Sequence, residues 1–383
     1  MFFILDNKLI FVHITYMDIT TIVIIIIIIF LFFLICTHCN TEDMVNITAV
    51  KSPKWANNGC MFSINDITQG ILKEHNIQAN KNWNLYLPCG YNDIDAEINA
   101  IVMDGKDDKD KRIFLIHNAD TMVAKEMLWK NLVDMYGLTK ACTMSPRSYI
   151  LYDKPDVARL KQEFDINKLY IIKKNVQRQT GLAITNSLDT MVNGFSQYYV
   201  LAQELLQNPY LIKGRKINLR VYVLVICQGR DYCVYVYNDG FMYYTKKPFV
   251  KGSKDFDHNI TSGYIDRKIY TENPLTHQDF RNYLDSYRTL TKEEETVRGS
   301  GKKLSDHVFG KIYDLLRDVF RTFNGKICQH NTLQKYVTFQ LFGVDIAVCD
   351  KLDATIMEIN KGPDLDAKDE RDKELKLNCI KDM

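Results

Sequence analysis

The sequence predicts an α+β protein with antiparallel sheets, carried behind an N-terminal hydrophobic helix. Three observations predict it. From Lys216 to Val225, apolar Ile217, Leu219, Val221, Val223 and Val225 alternate with Lys216, Asn218, Arg220 and Tyr222, the period of a half-buried strand. After Ser305, apolar Val308, Phe309, Ile312, Leu315, Leu316, Val319, Phe320 and Phe323 recur at helical spacing. From Ile19 to Cys36 the only polar residues are Thr20 and Thr21, a run close to the ~20 residues that cross a bilayer as a helix.

The chain has 383 residues, which at ~150 per domain gives two or three folding units, and its 46% apolar fraction can supply a core for each. Lys+Arg 49 against Asp+Glu 47 leaves a net charge of +2, so no excess of positive charge drives binding to nucleic acid. The 10 cysteines are scattered, with neither a dense disulfide framework nor paired zinc spacings, and read as mostly reduced thiols. The single CxxC, Cys36-Thr37-His38-Cys39, lacks a second ligand pair and is equally open to acylation.

In chain order, residues 1–18 form an extension and 19–37 a transmembrane helix or signal anchor. Lys8 precedes the tract and Lys51 and Lys54 follow it, which predicts a membrane-anchored chain with its large C-terminal part in the cytosol. If the isoleucine-rich tract is not translated, the protein is soluble. A cleaved signal is the rival, and Asn46-Ile47-Thr48 is then a glycosylation sequon. Residues 38–80 read as a linker with a short helix near Ile67 to Glu74, and folding starts near Trp83. An amphipathic helix runs between Glu126 and Tyr136, and Leu169 to Ile172 is a buried strand. Asp231 to Tyr237 continues the sheet, with a turn at Asn238-Asp239-Gly240. Residues 291–303, with three consecutive glutamates, read as a surface loop. Ser305 caps the following helix, Asn324-Gly325 stops it, and strands at 337–349 and 354–360 close the sheet.

The last hairpin carries a chemical statement. A turn centred on Lys351-Leu352 sets Asp345 directly opposite Glu358, with Cβ atoms ~5 Å apart, where like charges repel unless neutralised. A divalent cation neutralises them, and Asn360 adds a carbonyl oxygen on the same face, an all-oxygen set suited to Mg²⁺. The neighbours Val344, Ile346, Val348, Ile356, Met357 and Ile359 bury the opposite face; solvated edge acids are the competing account. Lys216, Asn218 and Arg220 share one face of their strand, either a wet surface or cations fixed on rigid backbone for a phosphate. Lys173 ends an apolar strand before the polar stretch Gln177 to Gly181, the position of a lysine ahead of a nucleotide-covering loop. No GxxxxGK[ST], HExxH or GxSxG occurs, which argues against P-loop NTPases, zincin proteases and α/β-hydrolases.

Five blocks in order resemble the tubulin-tyrosine ligase-like family: Tyr170 to Lys174 with Thr180-Gly-Leu182, Leu201 to Leu205, Asn208 to Leu224, Phe339 to Asp345, and Met357 to Asn360. The resemblance spans about residues 110–370 and implies the ATP-grasp fold, two lobes whose antiparallel sheets clasp ATP. It divides the chain into an N-terminal lobe at 81–165, a central subdomain at 166–206 and a C-terminal catalytic subdomain at 207–383. It implies ATP and Mg²⁺ as cofactors and ligation of a free amino acid to a protein carboxylate, for example an acidic tubulin tail, through an acyl phosphate. Lys173 and Gly181 then belong to the phosphate side, and Gln203, Glu204, Leu205 and Leu206 to the hinge strand beside adenine. Lys216 and Asn218 contact nucleotide, Arg220 steadies the reacting group, and Asp345, Glu358 and Asn360 hold the metal.

The chain departs from the family at three places: Asn218 replaces an Asp, Ser262 an Asn, and Tyr243 a substrate-binding Arg. These changes keep two alternatives open, a membrane-tethered nucleotide-binding pseudoenzyme and a small-molecule carboxylate-amine ligase. Lys213, Arg215, Lys246, Lys247, Lys251 and Lys254 form either a basic rim for an acidic tail or plain solvated surface.

Overall fold

A computed structural model describes residues 2–5, 8–11, 53–57, 64–88, 94–103, 111–176 and 181–383. The chain divides into units of residues 1–49 and 50–383. In the first, β1 (Phe2–Leu5) and β2 (Lys8–Phe11) pair antiparallel. The 19–37 tract, the CxxC and the sequon lie outside the described residues, among which no helix is long and apolar enough to cross a membrane. The hydrophobic helix and membrane anchor expected there therefore gain no support.

The second unit contains two sheets. The larger starts ahead of Trp83, inside the stretch read as linker. There β3 (Lys54–Ala56), β4 (Gln78–Ala79), β5 (Leu85–Tyr86) and β6 (Arg112–Ile113) pair in parallel, with helix α1 (Asp66–Glu74) between β3 and β4. Helices α2 (Ile94–Met103) and α3 (Lys125–Met144) follow; α3 outruns its predicted end because the chain continues past a non-helical Gly137 at φ 74°.

The smaller sheet is antiparallel, in the order β7 (Ser148–Ile150), β10 (Leu201–Glu204), β8 (Tyr170–Lys173), β9 (Leu182–Thr185), so it draws a strand from ahead of residue 166. Alternation gives its faces different tasks. Tyr170, Ile172 and Ala202 pack with Tyr149, Leu151, Leu160 and Met191, over helix α4 (Lys154–Glu163). Leu169, Ile171 and Leu205 form a second apolar patch with Lys173 and Gln203 in line on the same face.

The larger sheet continues through β11 (Leu211–Ile212), β12 (Arg215–Gln228), β13 (Asp231–Thr245), β14 (Thr261–Ser262), β15 (Val337–Val348) and β16 (Ala354–Asn360). The β12–β13 hairpin turns at Gly229-Arg230, with Gly229 at φ 64°, and not at Asn238-Asp239-Gly240. The latter residues lie within β13, at a register irregularity opposite Val221 to Val223, where the Asp239 carboxylate accepts from Gly240 N at 2.8 Å and Gln278 N at 3.2 Å. Those bonds satisfy the donors a turn would have used.

Helices α5 (His277–Asp285), α6 (Lys292–Gly299), α7 (Leu304–Arg321) and α8 (Glu370–Asp382) complete the unit. Every apolar position of the α7 stripe is buried, each worth ~1.5–3 kcal/mol. Lys303, not Ser305, is its N-cap; Ser305 donates instead to Asp285 at 2.6 Å. Helix α6 replaces the predicted loop, since Thr291 and Glu294 close a capping box over it. The reading of mostly reduced thiols is also corrected: Cys227, at the end of β12, and Cys328, beyond α7, have Cα atoms 5.7 Å apart and are disulfide-bonded, as is Cys233, while Cys142, Cys349 and Cys379 are free.

Candidate active site between two sheets

The charged face of β12 is not a wet surface. Lys216 is only 3% exposed. It lies near Lys173 of the smaller sheet, and no carboxylate pairs with it among the described residues. Burial first, and then Lys173, pull the Lys216 ammonium down to about 8. Lys173 is likewise pulled to about 8 by burial and Lys125, against the opposing pull of Glu358 and Asp345. Two desolvated cations from opposite sheets thus face one space that holds an anion favourably.

Lys173 is held by Gln203, whose side-chain oxygen accepts from its Nζ at 2.6 Å and whose amide donates to Ser148 Oγ at 2.9 Å. Glu204 turns to Lys168 at 2.8 Å, and Leu205 joins the apolar patch, its N–H bonded to the Leu169 carbonyl at 2.8 Å. Leu206 follows at half-burial. Gly181 accepts from Lys174 N at 2.8 Å, and a Cβ there would meet Lys174 Cβ at 2.8 Å, so a side chain would force the strand entrance apart.

On the larger sheet, register sets Arg220 beside Asp345 and Asp345 opposite Glu358. The pairing predicted from spacing is present, by a different path. Ile346 faces Ile356, a frame centred on Lys351, and Met357 is an extra unpaired residue that shifts the frame before Glu358. Arg220 grips Asp345 with Nε at 2.6 Å and Nη2 at 3.1 Å. Gly343 makes room for it, since a Cβ there would lie 3.0 Å from Arg220 Cδ. Burial pushes Asp345 up to about 6; Arg220 opposes this and Glu358 adds to it. At Glu358 burial is outweighed by Lys125, Lys173 and a hydrogen bond with Asp345, which together hold it below the usual range. Asn360 spends its amide on Glu358 Oε1 and the Gly343 carbonyl, both at 3.3 Å, leaving its carbonyl oxygen for another partner. Two facing acids and a free amide oxygen are a hard, oxygen-only donor set that fits a divalent cation. Among the described residues no group of three or more His, Cys, Asp or Glu side chains forms a metal cluster.

Asn218 keeps a buried side-chain oxygen with no partner. Ser262 accepts from Tyr264 N at 3.0 Å, and the Tyr243 ring lies 5.1 Å from the Arg220 guanidinium. Lys125 is the residue sequence reasoning missed, since a lone lysine at a helix start gives no local signal. Its Nζ donates to the Val176 carbonyl at 3.3 Å while its charge reaches Glu358 and Lys173. The supposed basic rim is largely neutralised. Lys213 pairs with Glu272, Lys246 with Asp257, and Lys247 with Asp255 and Asp257; Arg215 and Lys254 bond to neutral oxygens.

Helices packed on one antiparallel and one mixed sheet, with cations and acids converging between them, make this a mixed α and β protein consistent with the ATP-grasp fold. Comparison of the sequence with known proteins identifies the group. The chain belongs to the tubulin-tyrosine ligase family, whose sequence model matches residues 103–383. It is 31% identical over 205 residues to the probable tubulin polyglutamylase TTLL9 of Rattus norvegicus, covering 52% of this chain and 40% of that protein. It is 25% identical over 229 residues to a probable beta-tubulin polyglutamylase of Tetrahymena thermophila, 56% of this chain and 18% of that one. With the tubulin monoglutamylase TTLL4 of Mus musculus it shares 24% identity over 269 residues, 68% of this chain and 22% of that one. The chain spans less than half the length of these curated relatives.

Proposed function

We propose that this protein is an ATP-dependent ligase that joins a free amino acid to a side-chain carboxylate of an acidic protein, with a tubulin tail as the acceptor and glutamate as the first amino acid to test. The observation that carries the reading is Lys173, buried and within electrostatic reach of both acids of the last hairpin, with the buried Lys216 ammonium beside it. Lys173, Lys216 and Lys125 bind the polyphosphate, and the Leu169, Ile171 and Leu205 patch seats the base beside the Gln203 to Leu206 strand. The unpartnered Asn218 oxygen accepts from the nucleotide. Asp345, Glu358 and Asn360 are the residues that would hold Mg²⁺, which would neutralise charge on the transferring phosphoryl group. The acceptor carboxylate takes the γ-phosphoryl group to give an acyl phosphate and ADP. Arg220, fixed by Asp345, stabilises the charge that develops, and the amine of the amino acid then displaces phosphate.

ADP release from ATP is expected to require both an amino acid, tested as glutamate, glycine or tyrosine, and an acidic acceptor peptide, with the matching mass added to the peptide. ATP binding without release under all three conditions would instead identify a nucleotide-binding pseudoenzyme, the second reading, which Asn218 and Tyr243 motivate. Mass added to a metabolite and not to the peptide would identify a small-molecule ligase.

Lys216 also sets a pH dependence. Its folded-state value, down to about 8 from 10.5, rises when phosphate binds beside it. ATP affinity is therefore expected to be flat below about pH 8 and to fall as pH rises beyond it. Between about 8 and 10.5 the unfolded chain holds more protons at Lys216 than the folded one, so this residue's contribution to ligand-free stability rises with pH. Titration calorimetry and unfolding curves at pH 7, 8 and 9 measure the two opposite trends; ATP affinity that does not fall between pH 8 and 9 removes Lys216 from the phosphate site.

A further inference from the structure

Under the ligase reading, on which this inference rests, the phosphates lie between Lys173 of the smaller sheet and the acids of the last hairpin, so in-line transfer depends on how far apart those two walls stand. One short segment of the chain is bonded to both. It runs from Ile116 to Glu126 through a single helical turn, Asp120–Val123, breaks at Ala124 with φ −65° and ψ 127°, and enters α3 at Lys125.

The first half of the segment holds the hairpin. Gln340 of β15, fully buried, accepts from Ile116 N at 3.1 Å and donates to the Lys361 carbonyl at 2.8 Å, and the Lys361 ammonium pairs with Asp120 at 2.7 Å. Lys361 directly follows Asn360. The second half holds the smaller sheet. The Asn175 amide donates to both oxygens of the buried Glu126 at 2.8 Å, its side-chain oxygen accepts from Lys125 N at 3.3 Å, and Lys125 Nζ donates to the Val176 carbonyl at 3.3 Å. Asn175 lies just past Lys173, the last residue of β8. From behind, Asn131 donates to the Thr121 carbonyl at 2.8 Å and accepts from Lys326 at 2.6 Å, which braces the turn between the two halves.

We infer that the segment from Asp120 to Glu126 is the spacer that sets the gap between the two walls of the candidate active site, with Asp120 and Asn175 as positioning residues at its ends. Asp120 acts through Lys361 on the strand that ends at Asn360, and Asn175 acts through the end of β8 on Lys173. Both are exposed, Asp120 to 67%, and an exposed ion pair contributes little to folding. Rate is steep in distance by comparison, since a displacement of about 1 Å can cost on the order of 10²-fold.

The test is the kcat for amino-acid-dependent ADP release by the full chain, measured beside ATP affinity and melting temperature. Asp120→Ala and Asn175→Ala are each expected to lower kcat about 10-fold, with ATP affinity within about 3-fold of wild type and no matching fall in melting temperature. Because both ends act on one gap, the double variant should lose no more than about 3-fold beyond either single, where independent contacts would multiply to about 100-fold. Exchanging the ion pair, Asp120→Lys with Lys361→Asp, should recover turnover, a rescue that a loss of packing would not give. If Asn175→Ala melts lower because Glu126 loses its donors, Asp120→Ala and the exchange decide alone. Wild-type kcat in both singles, a multiplicative double, no recovery on exchange, or a kcat that falls only in step with stability overturns this inference and leaves the ligase reading standing. Absence of ADP release by the unsubstituted protein with every amino acid removes both.

Discussion

Glu358→Gln is expected to lower ATP turnover by at least ~100-fold while the protein stays folded, because an electrostatic contact made in the transition state commonly contributes a factor of about 10²–10³. Glutamine keeps the volume of the side chain and the oxygen that accepts from Asn360 at 3.3 Å. It removes the charge that offsets Lys125 and Lys173 and one of the two acids available to a divalent cation. The lysines then face the phosphates without an internal competitor, so nucleotide affinity should survive where turnover does not. ADP release and circular dichroism melting on the same preparation measure both halves. Asp345→Asn is the contrasting case: it leaves Arg220 buried without its two-point partner, so stability should fall together with turnover. Unchanged turnover in Glu358→Gln would remove the metal assignment.

Much of this arrangement was legible in the residues because it rests on period and pattern. Alternation along Lys216 to Val225 defines a strand with one apolar face, and the last hairpin has apolar residues that pin its register. Asp345 does face Glu358, yet the agreement depends on two offsets that cancel, a loop centred on Lys351 and an extra residue at Met357. Neither is encoded in the apolar pattern. Contacts between distant segments were not legible at all. Lys125, more than two hundred residues before Glu358, reaches it only through tertiary packing. The pairing of the rim lysines with Asp255, Asp257 and Glu272 was hidden for the same reason. Turn chemistry misled where a stronger partner competed: Asn238-Asp239-Gly240 has a turn's composition, but long strands on the hairpin closed by Gly229-Arg230 run through it.

Glu294→Ala is expected to be the most destabilising single change outside the candidate site, and it shows why a run of three glutamates is not a solvated loop. Glu293 and Glu295 are exposed, whereas Glu294 has no exposed surface. Its carboxylate accepts from Arg288 on both oxygens, from the Tyr210 hydroxyl at 2.6 Å, and from Thr291 N at 2.9 Å. Burial alone would raise its pKa, yet Arg288 and Tyr210 hold it below the usual range, so it stays ionised. Alanine removes the reciprocal half of the α6 capping box, costing ~1 kcal/mol, and strands a mostly buried guanidinium. Breaking such a pair from one side costs about 3–5 kcal/mol. Tyr210 also bonds through its N–H to the Val348 carbonyl at 2.8 Å, so the loss is transmitted to the base of the hairpin that carries Asp345 and Glu358. A fall in melting temperature of roughly 10 °C follows for a unit of this size, read by calorimetry. A shift below about 2 °C would mean that the network is not formed in solution. Restoration by Glu294→Gln should be partial, because the amide keeps one acceptor for Arg288 and loses the charge.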